Sequence, residues 1–153
     1  MTPYLAVGEA SRAIDWYERA FGAKVVTSTP GPGGKVMHAE LKIGDSSVFL
    51  SDIFPGSDLK DPRESGPSVN MHFYSKQIDR VWKRAVEAGA KVTMPIDNQF
   101  WGERYGRVLD PFGHSWAMSY PAKMSAAEKK QKEQDAMASM SGGDGPESWS
   151  SNP

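Results

Sequence analysis

The 153-residue chain has no cysteine, which excludes disulfide staples, thiolate catalysis and cysteine-based zinc sites together. It also lacks an excess of either charge, with 18 lysines and arginines against 19 acidic residues. A balance this even exerts no general pull on nucleic acid or anionic membrane, and no basic run interleaved with aromatics is present. No apolar run approaches the roughly 20 residues that cross a bilayer, and the N-terminus lacks a basic segment followed by an apolar one. Neither nucleic acid nor membrane is therefore expected as a partner, and a cytoplasmic location is.

What remains is the composition of an ordinary globular protein, 39% hydrophobic and 24% charged, long enough for one domain or for two halves that share a core. Tyr4 to Val7 reads as a first strand. From Ala10 to Phe21, the apolar Ala13, Ile14, Tyr17, Ala20 and Phe21 recur at helical spacing; Ser11 is a candidate cap and Gly22 a left-handed stop. Trp16 and Tyr17 sit at core spacing and are expected to pack. Lys24 to Thr29 looks like a strand, and Pro30 to Gly34 like a turn. Val36 to Ile43 alternates, with Met37, Ala39, Leu41 and Ile43 on one face and Val36, His38, Glu40 and Lys42 on the other. A turn at Gly44 and Asp45 leads into a further strand from Ser47 to Asp52.

After a Pro-, Gly- and Ser-rich connection the order starts again. Val69, Met71 and Phe73 alternate with Asn70, His72 and Tyr74, and a helix follows through Ile78, Val81, Trp82, Ala85 and Val86. The tetrapeptide Gly-Ala-Lys-Val stands just after each helix, at Gly22 to Val25 and at Gly89 to Val92. Arg104 to Asp110 and His114 to Tyr120 complete the second copy around a Pro-Phe-Gly turn. The sequence thus predicts strand, helix and three strands twice over: a first module at 1–53, a connection at 54–68, a second module at 69–122 and a polar tail at 123–153. In the tail, Ser125 and Glu128 have capping-box spacing, the residues to Met140 favour helix, and Gly142 to Pro153 reads as disordered.

Chemistry-bearing residues concentrate between Asn98 and Ser119. Glu103 and Arg104 stand beside Phe100, Trp101 and Tyr105, and Gly102 and Gly106 would let a ligand approach the backbone. Aromatic walls with a few placed polar groups suit a small-molecule pocket. The alternative is structural, with Phe100 and Trp101 capping the core. His114 follows the turn glycine and reads as a turn residue.

The duplicated element order, together with AIDWYERAFGA, HAELKIGDSSVFLSD and QFWGERYGRVLDPFGH, resembles the vicinal oxygen chelate superfamily of glyoxalases, bleomycin-resistance proteins and dioxygenases, and its PhnB-like branch. The resemblance spans roughly residues 2–121. It implies an α+β fold of two βαβββ modules forming a curled, cup-shaped mixed sheet, commonly completed by a second subunit. Metal enzymes of the superfamily place ligands at positions that fall here on Thr2, Asn70, Val48 or Phe49, and Ala117. Alanine, valine and phenylalanine offer no donor. No metal is therefore expected, and no other cofactor; the alternative is a divalent metal on a non-standard ligand set.

If both polar strand faces line the cup, His38, Glu40, Asn70, His72 and Tyr74 converge there, with a His–Glu pair poised for proton transfer. Otherwise these are hydrogen-bonded polar residues on the open side of a half-buried sheet. Ser115, Ala117 and Ser119 share one face, and their small size leaves room for a ligand. The expected function is metal-independent binding of a small molecule by a homodimer. The alternative is a lyase, isomerase or transferase, either metal-dependent or using His72 and Glu103 as acid and base. No arginine cluster or glycine-rich helix start suggests a phosphonate site.

Overall fold

The computed structural model describes residues 1–141, so the expectation of disorder for 142–153 lies outside the described residues. Elements follow in the order β1 (Tyr4–Val7), α1 (Ala10–Phe21), β2 (Lys24–Pro30), β3 (Val36–Ile43), β4 (Ser46–Asp52), α2 (Pro62–Ser65), β5 (Asn70–Tyr74), α3 (Ile78–Glu87), β6 (Lys91–Asn98), β7 (Glu103–Leu109), β8 (Ser115–Pro121) and α4 (Ala126–Ser141). The strands form two open four-stranded mixed sheets, ordered β1-β4-β3-β2 (sheet A) and β5-β8-β7-β6 (sheet B). Each is one βαβββ unit, with its first strand parallel to its last and the other pairs antiparallel. The repeated order expected from the sequence is thus present as two sheets, with no ladder joining β1 to β5.

One core runs through both units. Strand alternation sends Leu5, Val7, Leu41, Val48 and Leu50 of sheet A toward α1, where Ala13, Trp16, Tyr17 and Ala20 are buried. Sheet B contributes Met71, Phe73, Val108, Trp116 and Met118. The two helices meet: Trp16 Nε1 donates to the Ala88 carbonyl at 2.8 Å, and Arg84 donates to the Arg19 carbonyl at 2.6 Å. Phe21 packs against both Phe73 and Trp116, at centroid distances of 5.4 and 4.8 Å. Because the helices share one side, each sheet keeps an opposite face that no helix of its unit covers.

Local chemistry explains where the pattern holds and where it slips. Gly22 ends α1 at φ 68°, in the left-handed region a side chain disfavours. Ser11 does not cap α1. Asp52, at the end of β4, accepts from the Ala10 amide at 3.1 Å and from the Val36 amide at 2.7 Å, so the cap comes from 42 residues away. β3 also departs from strict alternation. The register against β2 shifts between Thr29 and Pro30, which buries Val36 and leaves Met37 52% exposed. Gly106 faces the core: a Cβ there would stand 2.5 Å from Trp82 and 3.0 Å from Ile96. It permits helix packing rather than ligand approach.

The tail is helical from Ala126 to Ser141. Ser125 and Glu128 form the capping box, with Glu128 Oε2 accepting from the Ser125 amide at 2.7 Å. Lys132 pairs with Asp97 at 2.8 Å, which sets α4 against the β6 end and holds that carboxyl below its usual range. No helix among the described residues is long and apolar enough to cross a membrane.

Candidate functional site

The uncovered face of sheet B is built by pairing. β5 lies parallel to β8, so Asn70, His72 and Tyr74 stand beside Ser115, Ala117 and Ser119. β7 adds Arg107 opposite Ala117, Tyr105 opposite Ser119 and Glu103 opposite Pro121. The three small β8 residues are buried under their neighbours, and the larger side chains meet above them. His72 Nε2 lies 2.8 Å from Ser119 Oγ. Its ring stacks on Tyr74 at 5.1 Å and meets Tyr105 edge-on at 5.7 Å. Tyr105 contacts Trp101 at 5.6 Å, and Trp101 contacts Phe100 at 5.2 Å. At the other end of the face, Ser115 Oγ donates to Asn70 Oδ1 at 2.8 Å.

The uncovered face of sheet A is a smaller aromatic patch. Tyr4 Oη and His38 Nδ1 are 3.1 Å apart, and both rings contact Phe49, at 6.1 and 5.1 Å. Glu40 Oε1 accepts from Ser47 Oγ at 3.2 Å. His38 and Glu40 bond different neighbours, so they form no His–Glu pair here. Nor does any hydrogen bond or aromatic contact among the described residues join this patch to the His72 group. Asn70, His72, Tyr74, Tyr105 and Ala117 are assembled together; His38 and Glu40 lie on the other sheet.

Two further expectations are corrected. Arg104 leaves the site: it stands one residue out of phase with Tyr105 and reaches Asp79 of α3 at 2.7 Å. Glu103 accepts from Trp101 Nε1 at 3.1 Å and makes no hydrogen bond to His72 among the described residues. Two cavities lie elsewhere, and the Trp101 turn lines neither. These lie along the seam between β1 and β5. One, of about 620 Å³, sits under the connection beside Tyr4, Leu59, Val69 and His114; the other, of about 480 Å³, sits beside Thr2, Met71 and His72. His114 has a structural role, with Nε2 3.0 Å from the Ala6 carbonyl, tying the sheet B turn to β1.

The residues present do not fit the metal centre the superfamily implies. Ala117 is fully buried and has no donor, Asn70 is engaged by Ser115, and Val48 is buried in the core. No group of three His, Asp or Glu among the described residues stands close enough to hold a cation.

Sequence reasoning missed Arg107 and Tyr4. The signal for Arg107 was its place two residues after Tyr105, which strand alternation puts on the same face. Tyr4 opens β1 inside an apolar run, where nothing local sets it apart from its neighbours.

The family model for the glyoxalase/bleomycin resistance protein/dioxygenase superfamily matches residues 2–118. An uncharacterised protein of Mycobacterium bovis is 39% identical over 127 residues, covering 80% of this chain and 84% of that protein. Among solved structures, TioX from Micromonospora sp. ML1 superposes with a TM-score of 0.65 at 26% identity, covering 79% of this chain and 97% of that one. The PhnB protein from Bacillus cereus superposes with a TM-score of 0.64 at 18% identity, covering 78% and 97%.

Proposed function

The chain belongs to the glyoxalase/bleomycin resistance protein/dioxygenase superfamily, and from that premise we propose that it binds a small organic molecule, without a metal, on the uncovered face of sheet B. The observation that carries this reading is the joined set of His72, Tyr74, Tyr105 and Trp101 over the small residues Ala117 and Ser119. Flat rings with a few fixed polar atoms recognise a partly aromatic ligand through stacking and edge contacts. The vacant ligand positions argue for binding without Lewis-acid help.

The partner is a small molecule, and the assembly is a homodimer in which a second copy roofs the uncovered faces. Tyr4, Tyr74 and Trp101 are 47%, 65% and 47% exposed, and the sheets end in the free edge strands β2 and β6. Covering both removes apolar surface and unpaired backbone groups from water.

A second reading, acid–base catalysis of an isomerase or lyase type, draws on one contact. Ser119 fixes one nitrogen of His72 and leaves the other for a substrate proton. Elemental analysis and calorimetric titration with zinc, nickel, manganese and iron(II) test the proposal. The expected result is no stoichiometric metal, and tight binding abolished by His72→Ala overturns it. Turnover lost in His72→Ala with ligand affinity retained would favour the catalytic reading.

A further inference from the structure

Among the described residues, Arg107 is the one arginine whose side chain makes neither an ion pair nor a hydrogen bond. Among the described residues, Arg12 pairs with Glu9, Arg63 with Glu9 and Asp61, and Arg104 with Asp79. Arg84 and Arg19 donate to backbone carbonyls, and Arg80 donates to the Gln77 amide oxygen. Among the described residues the Arg107 guanidinium meets no acceptor, although the residue is half-buried. A half-buried arginine with no acceptor keeps several N–H donors free for an added one.

Its surroundings select the acceptor. Arg107 lines a cavity of about 410 Å³ with Asn70, Ser115, Ser68 and Thr93, and no carboxylate lines that cavity. Ser115 donates to Asn70 Oδ1, and among the described residues the Asn70 NH₂ group has no acceptor. Thr93 Oγ1 donates to the Arg107 carbonyl at 3.1 Å, fixing that segment of β7 against β6. A guanidinium and an amide NH₂ thus stand as unfilled donors at one end of the face, and the rings of His72 and Tyr105 stand next along it. Guanidinium forks match oxyanions in geometry as well as charge.

We infer that Arg107 and Asn70 form an oxyanion-binding subsite, so that the ligand is an aromatic carboxylate or phosphonate with its anionic group at Arg107 and its ring toward His72 and Tyr105. This rests on the reading of sheet B as the binding face, and it adds the charge and orientation of the ligand.

Benzoate, phenylphosphonate and the neutral isostere benzamide are the probes, titrated at constant ionic strength into the full chain while amide and side-chain resonances are followed by NMR. The expected result is that at least one anion binds about tenfold or more tightly than benzamide, with whichever anion binds better identifying the headgroup. Arg107→Gln brings that anion down to the benzamide level, and amide resonances away from Arg107 that match the parent's show that the variant is folded. Arg107→Lys retains part of the preference. Equal binding of all three at His72, Tyr74 and Tyr105 overturns the oxyanion subsite and leaves the binding face standing. Failure of every probe to shift those residues overturns both.

Discussion

Tyr17 Oη donates to Asp110 Oδ2 across 2.6 Å, joining the first helix to the turn before the last strand, 93 residues away. Both residues are buried, and the carboxylate also accepts from Trp116 Nε1 at 2.8 Å and from the amides of Phe112 and His114. Burial, and then the neighbouring Asp110 charge, push the Tyr17 hydroxyl well above its usual range, so it stays a donor. The contact fastens the first unit to the β8 strand that floors the candidate site.

Tyr17→Phe therefore lowers stability by about 1–3 kcal/mol, the cost of a lost buried hydrogen bond to a charged acceptor. Urea unfolding of the variant checks the value. An unchanged midpoint would show that Trp116 and the two turn amides satisfy Asp110 alone.

Gly106→Val is expected to cost about 1–3 kcal/mol or more, because its branched side chain must enter space held by Trp82 and Ile96. Gly34→Ala makes a useful comparison. It meets nothing within 4 Å but sits at φ 77°, so its cost is backbone strain alone. Thermal unfolding of the pair separates steric from conformational loss.

Asp61 gives a pH dependence of known sign. It accepts from the Arg63 amide at 2.9 Å and pairs with the Arg63 guanidinium, which holds its carboxyl below the ordinary value of 3.8. A carboxyl depressed in the folded state contributes stability that is full above its unfolded value and lost as pH falls through the folded one. Asp61→Asn should therefore narrow the stability difference between neutral pH and pH below about 4. The effect is small, since Arg63 is 40% exposed. Urea midpoints across that range measure it, and a slope identical to the parent's would count against the assignment.

Sedimentation of the full chain should give twice the monomer mass. Tyr74→Glu should weaken the association, since Tyr74 is 65% exposed on the face a second copy is proposed to cover. A monomer at all concentrations would remove the roof from the proposed site.

The fold was legible because both units obey simple periods: Ala13, Tyr17 and Ala20 mark one helix face, and Phe73 alternates with His72 and Tyr74. The failures have physical causes. Ser11 was a local guess at a cap that Asp52 supplies through the tertiary fold. Met37 was inverted by a one-residue register shift that no local pattern announces. Arg104 was grouped with Glu103 and Tyr105 by proximity in sequence, when a strand sends neighbours to opposite faces. The meeting of His72 with Tyr105 needed β8 between their strands, which only the pairing order reveals.

The central claim is that sheet B binds an organic ligand without a metal. It is tested most directly by mapping chemical shifts when small aromatic compounds are added to protein held in excess chelator. The account predicts saturable shifts centred on His72, Tyr74 and Tyr105 that are the same with and without chelator. Shifts that appear only after a divalent ion is restored, or that centre on residues away from sheet B, would contradict it.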